Sequence, residues 1–552
     1  MGNLYYNCLH IFIYKTFICL VNKGESMTPD QIQILISMVC YMLVVIGIGV
    51  FFAKRAKQSS DNYFLGGRSL GPWVAAMSAE ASDMSGWLLM GLPGVAYWCG
   101  LADAAWTAIG LAVGTYVNWL IIAKRLRNYS AVAGNSITLP EFFSNRFNEK
   151  KKVILSISAI FILIFFTVYA ASCFVTCGKL FSTLFGIDYH VMMLLGAAFV
   201  VFYTFIGGFL AESASDFMQA IVMIFALLVV LIVGVVNAGG IGAVIENAKS
   251  IDGYFMLTGM ASPTVDANGV QVGGLFGEAQ PYGFLTIIST LAWGLGYFGM
   301  PQVLLRFMAI RKADELKRSR RIATVWVVIS LFIAVMIGII GRGVYNNYND
   351  ALNTSSGAEN VFIALSQDLL PPLLAGIVMA GILAATISSS DSYLLIAASA
   401  FSKNLYGGLI KKDASDKQVM ITSKVVLVVI ALIGVAIAWD ENSIIFTLVS
   451  FAWAGFGATF GPVMIMSLFW KRINQKGAVA GMITGGVMVF VWKLLLKPLG
   501  GVFAIYELLP AFILSLIAIV VVSLLTKAPD KEITQTFEKV KAMTKGDFIE
   551  QN

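Results

Sequence analysis

Ser78-Ala79-Glu80-Ala81-Ser82-Asp83-Met84-Ser85-Gly86 interrupts an apolar run, Trp73–Met77 before it and Trp87–Val95 after it, that is otherwise long enough to cross a bilayer. An ionised Asp at the centre of a spanning helix costs roughly 2.5 to 3.5 kcal/mol on insertion scales, so Asp83 persists where a cation, a water path or a bound solute compensates it. The segment therefore reads as a site before it reads as an anchor. Its Gly and small hydroxyl residues let the backbone unwind and turn carbonyl oxygens into a protein-lined cavity.

The 552-residue chain around it has 58% hydrophobic and 12% charged side chains, with a mean hydropathy of +0.81. That composition excludes a soluble globular domain and describes an all-α polytopic membrane protein. Stretches of about 20 apolar residues place spans near 31–52, 71–98, 104–123, 153–182, 190–211, 217–238, 282–302, 322–341, 373–400, 421–439, 443–469, 477–497 and 506–526. About thirteen transmembrane helices are expected.

An odd number of spans puts the termini on opposite sides, and basic residues set the orientation. Alternate loops, at Lys54–Arg68, Lys124–Lys152, Arg306–Arg321, Lys403–Lys424, Lys471–Lys476 and from Lys527 onward, hold 31 of the 38 Lys and Arg. The opposite loops hold only Lys179, Lys249, Arg342, Lys493 and Lys497. By the positive-inside rule the first set is cytoplasmic, with the N-terminus outside and the C-terminal tail inside. Topology thus accounts for the net charge of +7, and nothing calls for nucleic acid.

Five helices after Asp83, the seventh span has its own interruption, Trp293-Gly294-Leu295-Gly296-Tyr297-Phe298-Gly299-Met300-Pro301. Gly weakens a helix and Pro removes a backbone donor, so both spans break at membrane depth. Breaks at matching positions of two five-helix halves, 71–238 and 282–469, point to an inverted repeat around a central site. The connections 239–281 and 342–372 read equally as lid or vestibule elements and as tolerated surface loops. Six cysteines, Cys8, Cys19, Cys40, Cys99, Cys173 and Cys177, mostly fall in apolar runs and read as buried thiols, with no zinc set.

A second polar cluster lies in the ninth span, at Ala384-Ala385-Thr386-Ile387-Ser388-Ser389-Ser390-Asp391-Ser392. A serine in such a helix usually bonds back to its own backbone. Four in five positions beside a carboxylate is a different matter, and Ser388 and Asp391 share a face. Hydroxyls with the carbonyls of an unwound helix suit sodium, a hard cation that prefers oxygen.

These residues carry a family resemblance. Tyr63-Phe64-Leu65-Gly66-Gly67-Arg68-Ser69-Leu70-Gly71-Pro72, followed by Ala81 to Gly94, Tyr203 to Phe209, Trp293 to Pro301 and Tyr393-Leu394-Leu395, resembles the sodium/solute symporter family over residues 28–530. It is most similar to the family's proline-transporting members. The resemblance implies a leucine-transporter-like core of two five-helix inverted repeats, with one helix before it and two after. It implies a sodium site at the carbonyls of Ala81, Met84 and Ala385 with the hydroxyls of Ser388 and Ser389. Sodium coupling would involve Asp83, Ser85 and Gly86, and a proline pocket Tyr169, Trp293, Gly296, Tyr297 and Pro301. Glu80 departs from the pattern, which commonly has a small residue there; it would face the cavity, face the cytoplasmic mouth, or pair with a basic residue.

The function implied is Na+-coupled import of L-proline, or of another small amino acid or carboxylate, across a bacterial cytoplasmic membrane. No enzyme chemistry, cofactor or obligate protein partner is expected beyond the solute, Na+ and the bilayer. A membrane sensor would need an output domain, for which the tail 528–552 is too short. The transporter domain is expected over 27–527, because Asn22-Lys23-Gly24-Glu25-Ser26 before Met27 reads as a translated ribosome-binding sequence, with a hydrophobic leader as the alternative. Deleting residues 1–26 is expected to leave uptake intact; loss of membrane insertion in the truncated protein contradicts this.

Overall fold

A long apolar segment in hydrocarbon satisfies its backbone only as a helix, and this chain is helical almost throughout. The computed structural model describes residues 27–56, 60–345 and 349–545. The start-site question at residues 1–26 lies outside them. The main helices are α1 (Pro29–Ala56), α2 (Pro72–Asp83), α3 (Trp87–Cys99), α4 (Leu101–Val132), α5 (Val153–Phe185), α6 (Tyr189–Phe205) and α7 (Gly208–Asn237). They continue with α8 (Phe284–Phe298), α9 (Pro301–Ala309), α10 (Ala313–Val344), α11 (Pro372–Ile410), α12 (Asp416–Ile437), α13 (Ile445–Phe469), α14 (Gln475–Leu499), α15 (Leu508–Leu525) and α16 (Lys531–Lys545).

Among the described residues ten helices are long and apolar enough to span a membrane, or eleven if α8 and α9, bent by 41°, count as one. The expected thirteen is not reached on that criterion, for a local reason. Span 71–98 is divided into α2 and α3, because Met84 leaves the helical region (φ −86°, ψ 74°). Span 190–211 is shortened to α6, because Gly208 turns to φ 62°, ψ 179°.

Helices α11 and α13 are the most buried and form the centre, with α11 packed on α1, α5, α6 and α7. Outer helices turn apolar rows outward, such as Ile221, Phe225 and Ile232 of α7 and Val425, Leu432 and Ile433 of α12, a surface suited to lipid. Cys40 is also exposed on α1, unlike the buried Cys173 and Cys177. In lipid, helices associate by close fit, which favours small residues at contacts. Accordingly α4 meets α8 backbone to backbone: a Cβ on Gly114 would stand 2.4 Å from the Gly294 carbonyl oxygen, and one on Gly294 2.2 Å from that of Gly110.

Three basic residues read as loop charges are inside the protein. Lys179 pairs with Glu359 at 2.8 Å, and the Glu359 carboxylate also accepts from the amides of Ile445 and Phe446 that open α13. Arg342 lies over the Tyr97 ring, 4.2 Å from its centroid. Arg306 belongs to α9 and is fully buried. Arg306 and Arg342 lie in the last turns of their helices and Lys179 about two turns from the end of its own, and each meets a partner inside the protein in place of water. The 239–281 connection forms a short helix and two small antiparallel pairs, Gly259–Met260 with Gln280–Pro281 and Pro263–Val265 with Gln271–Phe276. It ties down the α3–α4 corner, where Leu101 donates its amide to the Tyr254 carbonyl at 2.8 Å. The charged tail forms α16, which buries Phe537 and Val540 and pairs Glu538 with Lys471 at 2.9 Å.

Replacing Gly114 with Val forces α4 off α8 and is expected to cost at least about 1–3 kcal/mol. The check is the unfolding temperature of the purified protein in detergent, and an unchanged value contradicts the backbone contact.

Candidate functional site

The site is assembled where the two broken spans meet the serine cluster. Pro72 opens α2 at a position that needs no amide, and the helix stops at Asp83. Beyond the break Ser85 caps α3: its hydroxyl accepts from the Trp87 amide at 3.3 Å and its carbonyl from the Leu88 amide at 2.9 Å. Gly86 has no space for a side chain, since a Cβ there would stand 2.4 Å from Thr176 Cγ2. In the second broken span α8 ends at Phe298, and Pro301 starts α9.

Asp83 joins the two breaks. Tyr297 Oη donates to Asp83 Oδ2 at 2.8 Å, and Gln302 Nε2 donates to Oδ1 at 3.3 Å. Its carboxylate is thus turned to α8 and α9. Tyr169 Oη donates to the Asp83 carbonyl at 3.4 Å while its ring stacks on Tyr393, 4.2 Å between centroids. Gln302 carries no apolar or motif signal of its own and was not among the residues expected here. Its place directly after the helix-starting Pro301 is the one clue.

The serine cluster remains helical and divides by face. Ser388 Oγ donates to the carbonyls of Ala81 (2.8 Å) and Ala385 (3.2 Å), and Ser389 Oγ to Ala81 at 3.3 Å. Ala81, Ala385, Ser388 and Ser389 therefore converge, while Met84 stands at the end of α2 with its amide on the Glu80 carbonyl. Ser390 bonds back to its own helix, to the carbonyls of Thr386 at 2.6 Å and Ile387 at 3.3 Å. Ser392 faces the other way and donates to Glu212.

Glu212 belongs to a buried ionic network that the sequence reading did not contain. Arg306 Nη2 pairs with Glu212 and, at 3.2 Å, with Asp216; Nε donates to Ser78 Oγ at 3.0 Å, which itself donates to Asp216 at 2.7 Å. The network ties α2, α7, α9 and α11 together. Two acids four residues apart in the apolar α7 were the available signal, because that spacing stacks them on one helix face. Among the described residues Glu80 meets an indole rather than a basic side chain: Trp119 Nε1 donates to its Oε1 at 3.2 Å, and its Oε2 has no partner there.

Beside Asp83 lies a small cavity lined by Met84, Trp87, Leu111, Tyr169, Trp293, Val449 and Trp453. Its volume is about 10 Å³, room for about one water. Trp293 stacks on Tyr506 at 5.1 Å, and its carbonyl accepts from Trp453 Nε1 at 2.8 Å. Of the residues expected in the solute pocket, Tyr169 and Trp293 line this cavity. Gly296 lets Trp453 approach (a Cβ would be 1.9 Å from Nε1), Tyr297 holds Asp83, and Pro301 starts α9. Oxygens without imidazole or thiolate suit a hard cation, and the aromatic wall suits a small solute. No group of three His, Cys, Asp or Glu among the described residues is placed to hold a metal ion.

Residues 63–485 match the sodium:solute symporter family. The chain is 41% identical to the sodium/proline symporter of Escherichia coli strain K12, over 92% of this chain and 96% of that one. It is 42% identical to the sodium/proline symporter of Salmonella typhimurium strain LT2 and 41% to that of Staphylococcus aureus strain USA300, with the same coverage. Among solved structures, a substrate-bound, outward-open Na+-coupled sialic acid symporter superposes with a TM-score of 0.73 at 21% identity, covering 90% of this chain and 99% of that one. MhsT in complex with L-phenylalanine gives 0.51 at 15% identity, covering 82% and 97%. At such identities the likeness establishes the fold alone, and that fold is the expected leucine-transporter-like one.

Replacing Arg306 with Met leaves Glu212 and Asp216 buried without their cation, and is expected to destabilise the protein by about 3–5 kcal/mol. Thermal unfolding in detergent reads this out, with partial recovery expected when Glu212→Gln is added. A wild-type melting curve for the single variant contradicts the pairing.

Proposed function

This chain belongs to the sodium:solute symporter family, and from that premise we propose that it imports L-proline together with Na+ across a bacterial cytoplasmic membrane by alternating access. The observation that carries the reading is the pair of serine hydroxyls on the Ala81 carbonyl, at the break of the helix that bears Asp83. Sodium is bound by the carbonyls of Ala81, Met84 and Ala385 and the hydroxyls of Ser388 and Ser389. Those hydroxyls now donate to Ala81; rotated, they present lone pairs, and an ion among them joins α2 to α11 in place of the hydrogen bonds.

Asp83, Ser85 and Gly86 couple this site to the solute pocket. Asp83 does so through Tyr297 and Gln302, so that ion binding on one side of the break orders the aromatic wall on the other. Tyr169, Trp293, Gly296, Tyr297 and Pro301 form or support the pocket. The cavity is far smaller than proline, so the described state is contracted and must widen to admit it. Residues 71–238 and 282–469 act as the two repeats, α1 precedes them and α14 and α15 follow. The distribution of basic residues between alternate loops supports a cytoplasmic C-terminal helix and an outside N-terminus.

One Na+ entering down ~100 mV yields ~2.3 kcal/mol, and a tenfold gradient adds ~1.4 kcal/mol. With one ion per solute these sustain roughly 500-fold accumulation of a neutral zwitterion.

The test is radiolabelled proline uptake in vesicles with and without an imposed sodium gradient, with a panel of amino acids and carboxylates as competitors. Gradient-driven proline uptake is expected; its absence, or stronger transport of a competitor, ends the proline assignment. Asp83→Asn is expected to abolish Na+-dependent uptake with normal membrane levels. Ser388→Ala is expected to raise the Na+ concentration for half-maximal uptake by roughly tenfold, the equivalent of about one hydrogen bond. Wild-type sodium dependence in either variant sinks the site.

A further inference from the structure

The polar groups around the Asp83 cavity are mostly committed to one another. Trp453 spends its indole N–H on the Trp293 carbonyl, Tyr169 its hydroxyl on the Asp83 carbonyl, and Asp83 accepts from Tyr297 and Gln302. Trp87 differs. It lines the same cavity, is only 3% exposed, and its indole N–H is buried with no hydrogen-bond partner among the described residues. A buried donor left unpaired carries a desolvation penalty that a ligand accepting the bond removes.

The charge pattern identifies that acceptor. Trp87 is the first residue of α3, so its end of the cavity is a helix N-terminus, where aligned peptide dipoles favour an anion. Four residues back along the chain Asp83 lines the same cavity, and its carboxylate keeps lone pairs beside its two accepted bonds. A zwitterion fits this polarity in one sense only, with its carboxylate toward Trp87 and its ammonium toward Asp83. The ring of the solute then lies against the aromatic wall.

We infer that Trp87 determines selectivity for a free carboxylate, its Nε1–H donating directly to the carboxylate of the bound solute. The inference rests on the proline reading above and adds the solute's orientation and the residue that reads its acid group. Trp87 also packs on Trp293 and Phe446, with ring centroids 5.8 and 6.2 Å away, so Trp87→Phe keeps an aromatic ring in those contacts and removes the donor.

The experiment measures sodium-driven proline uptake by the wild type and by Trp87→Phe, with L-prolinol, which keeps ring and amine but lacks the carboxylate, as competitor. Trp87→Phe is expected to raise the proline concentration for half-maximal uptake roughly 10- to 100-fold, the range of a hydrogen bond to a charged group. Inhibition by prolinol is expected to stay at its wild-type strength. An unchanged proline requirement, or an equal loss for proline and prolinol, overturns the assignment, the second because it marks a packing defect. If the variant takes up nothing, protection of the purified protein from thermal unfolding by each compound supplies the same comparison, with stabilisation by Na+ reporting a folded site. Failure of the wild type to transport proline overturns the underlying reading, whereas an unchanged proline-to-prolinol preference in the variant overturns only the role of Trp87.

Discussion

A helix broken inside hydrocarbon leaves carbonyls and amides without partners, and the centre of this protein is organised around supplying them. The end of α2 exposes the Ala81 carbonyl, and two serines on α11 turn their hydroxyls to it. The start of α3 exposes amides, and Ser85 takes two of them. Pro301 removes one unmet donor from the second break at its source. The same demand that makes a break expensive makes it a binding site, because the groups that satisfy a bare carbonyl are oxygens that also satisfy a cation.

Charge is handled by the same logic at two further places. The α2 half of the broken span carries Ser78 into the Arg306–Glu212–Asp216 network, and the α3 half carries Gly94 against Glu359, the partner of Lys179. Each half thus packs beside a buried ion pair. Such pairs need not add net stability over an apolar core, yet removing one member leaves an uncompensated charge.

Much of this was legible in the residues. Hydrophobic run length located nearly all the spans, because bilayer thickness sets a minimum helix length whatever the fold. Asp83 announced itself by its insertion cost, and Gly with Pro announced the second break. The serine cluster was legible as a group and not in its parts: Ser388 and Ser389 face α2, Ser390 bonds its own helix, and Ser392 joins the ionic network. Arg306 was misread because a run of basic residues after an apolar segment looks the same whether its first member is inside or outside. Glu80 likewise gave no hint of Trp119, 39 positions away.

What the sequence by itself determined is the membrane class, the positions of the two breaks and the family, since each follows from local composition or from an ordered string of residues. What only the tertiary structure decided is where each polar group is directed. Asp83 turns to Tyr297 and Gln302, more than 200 residues later, and the Ala81 carbonyl to serines about 300 residues away. Those partners are set by helix packing rather than by spacing along the chain, because a buried polar group bonds whatever donor the fold brings within about 3 Å of it.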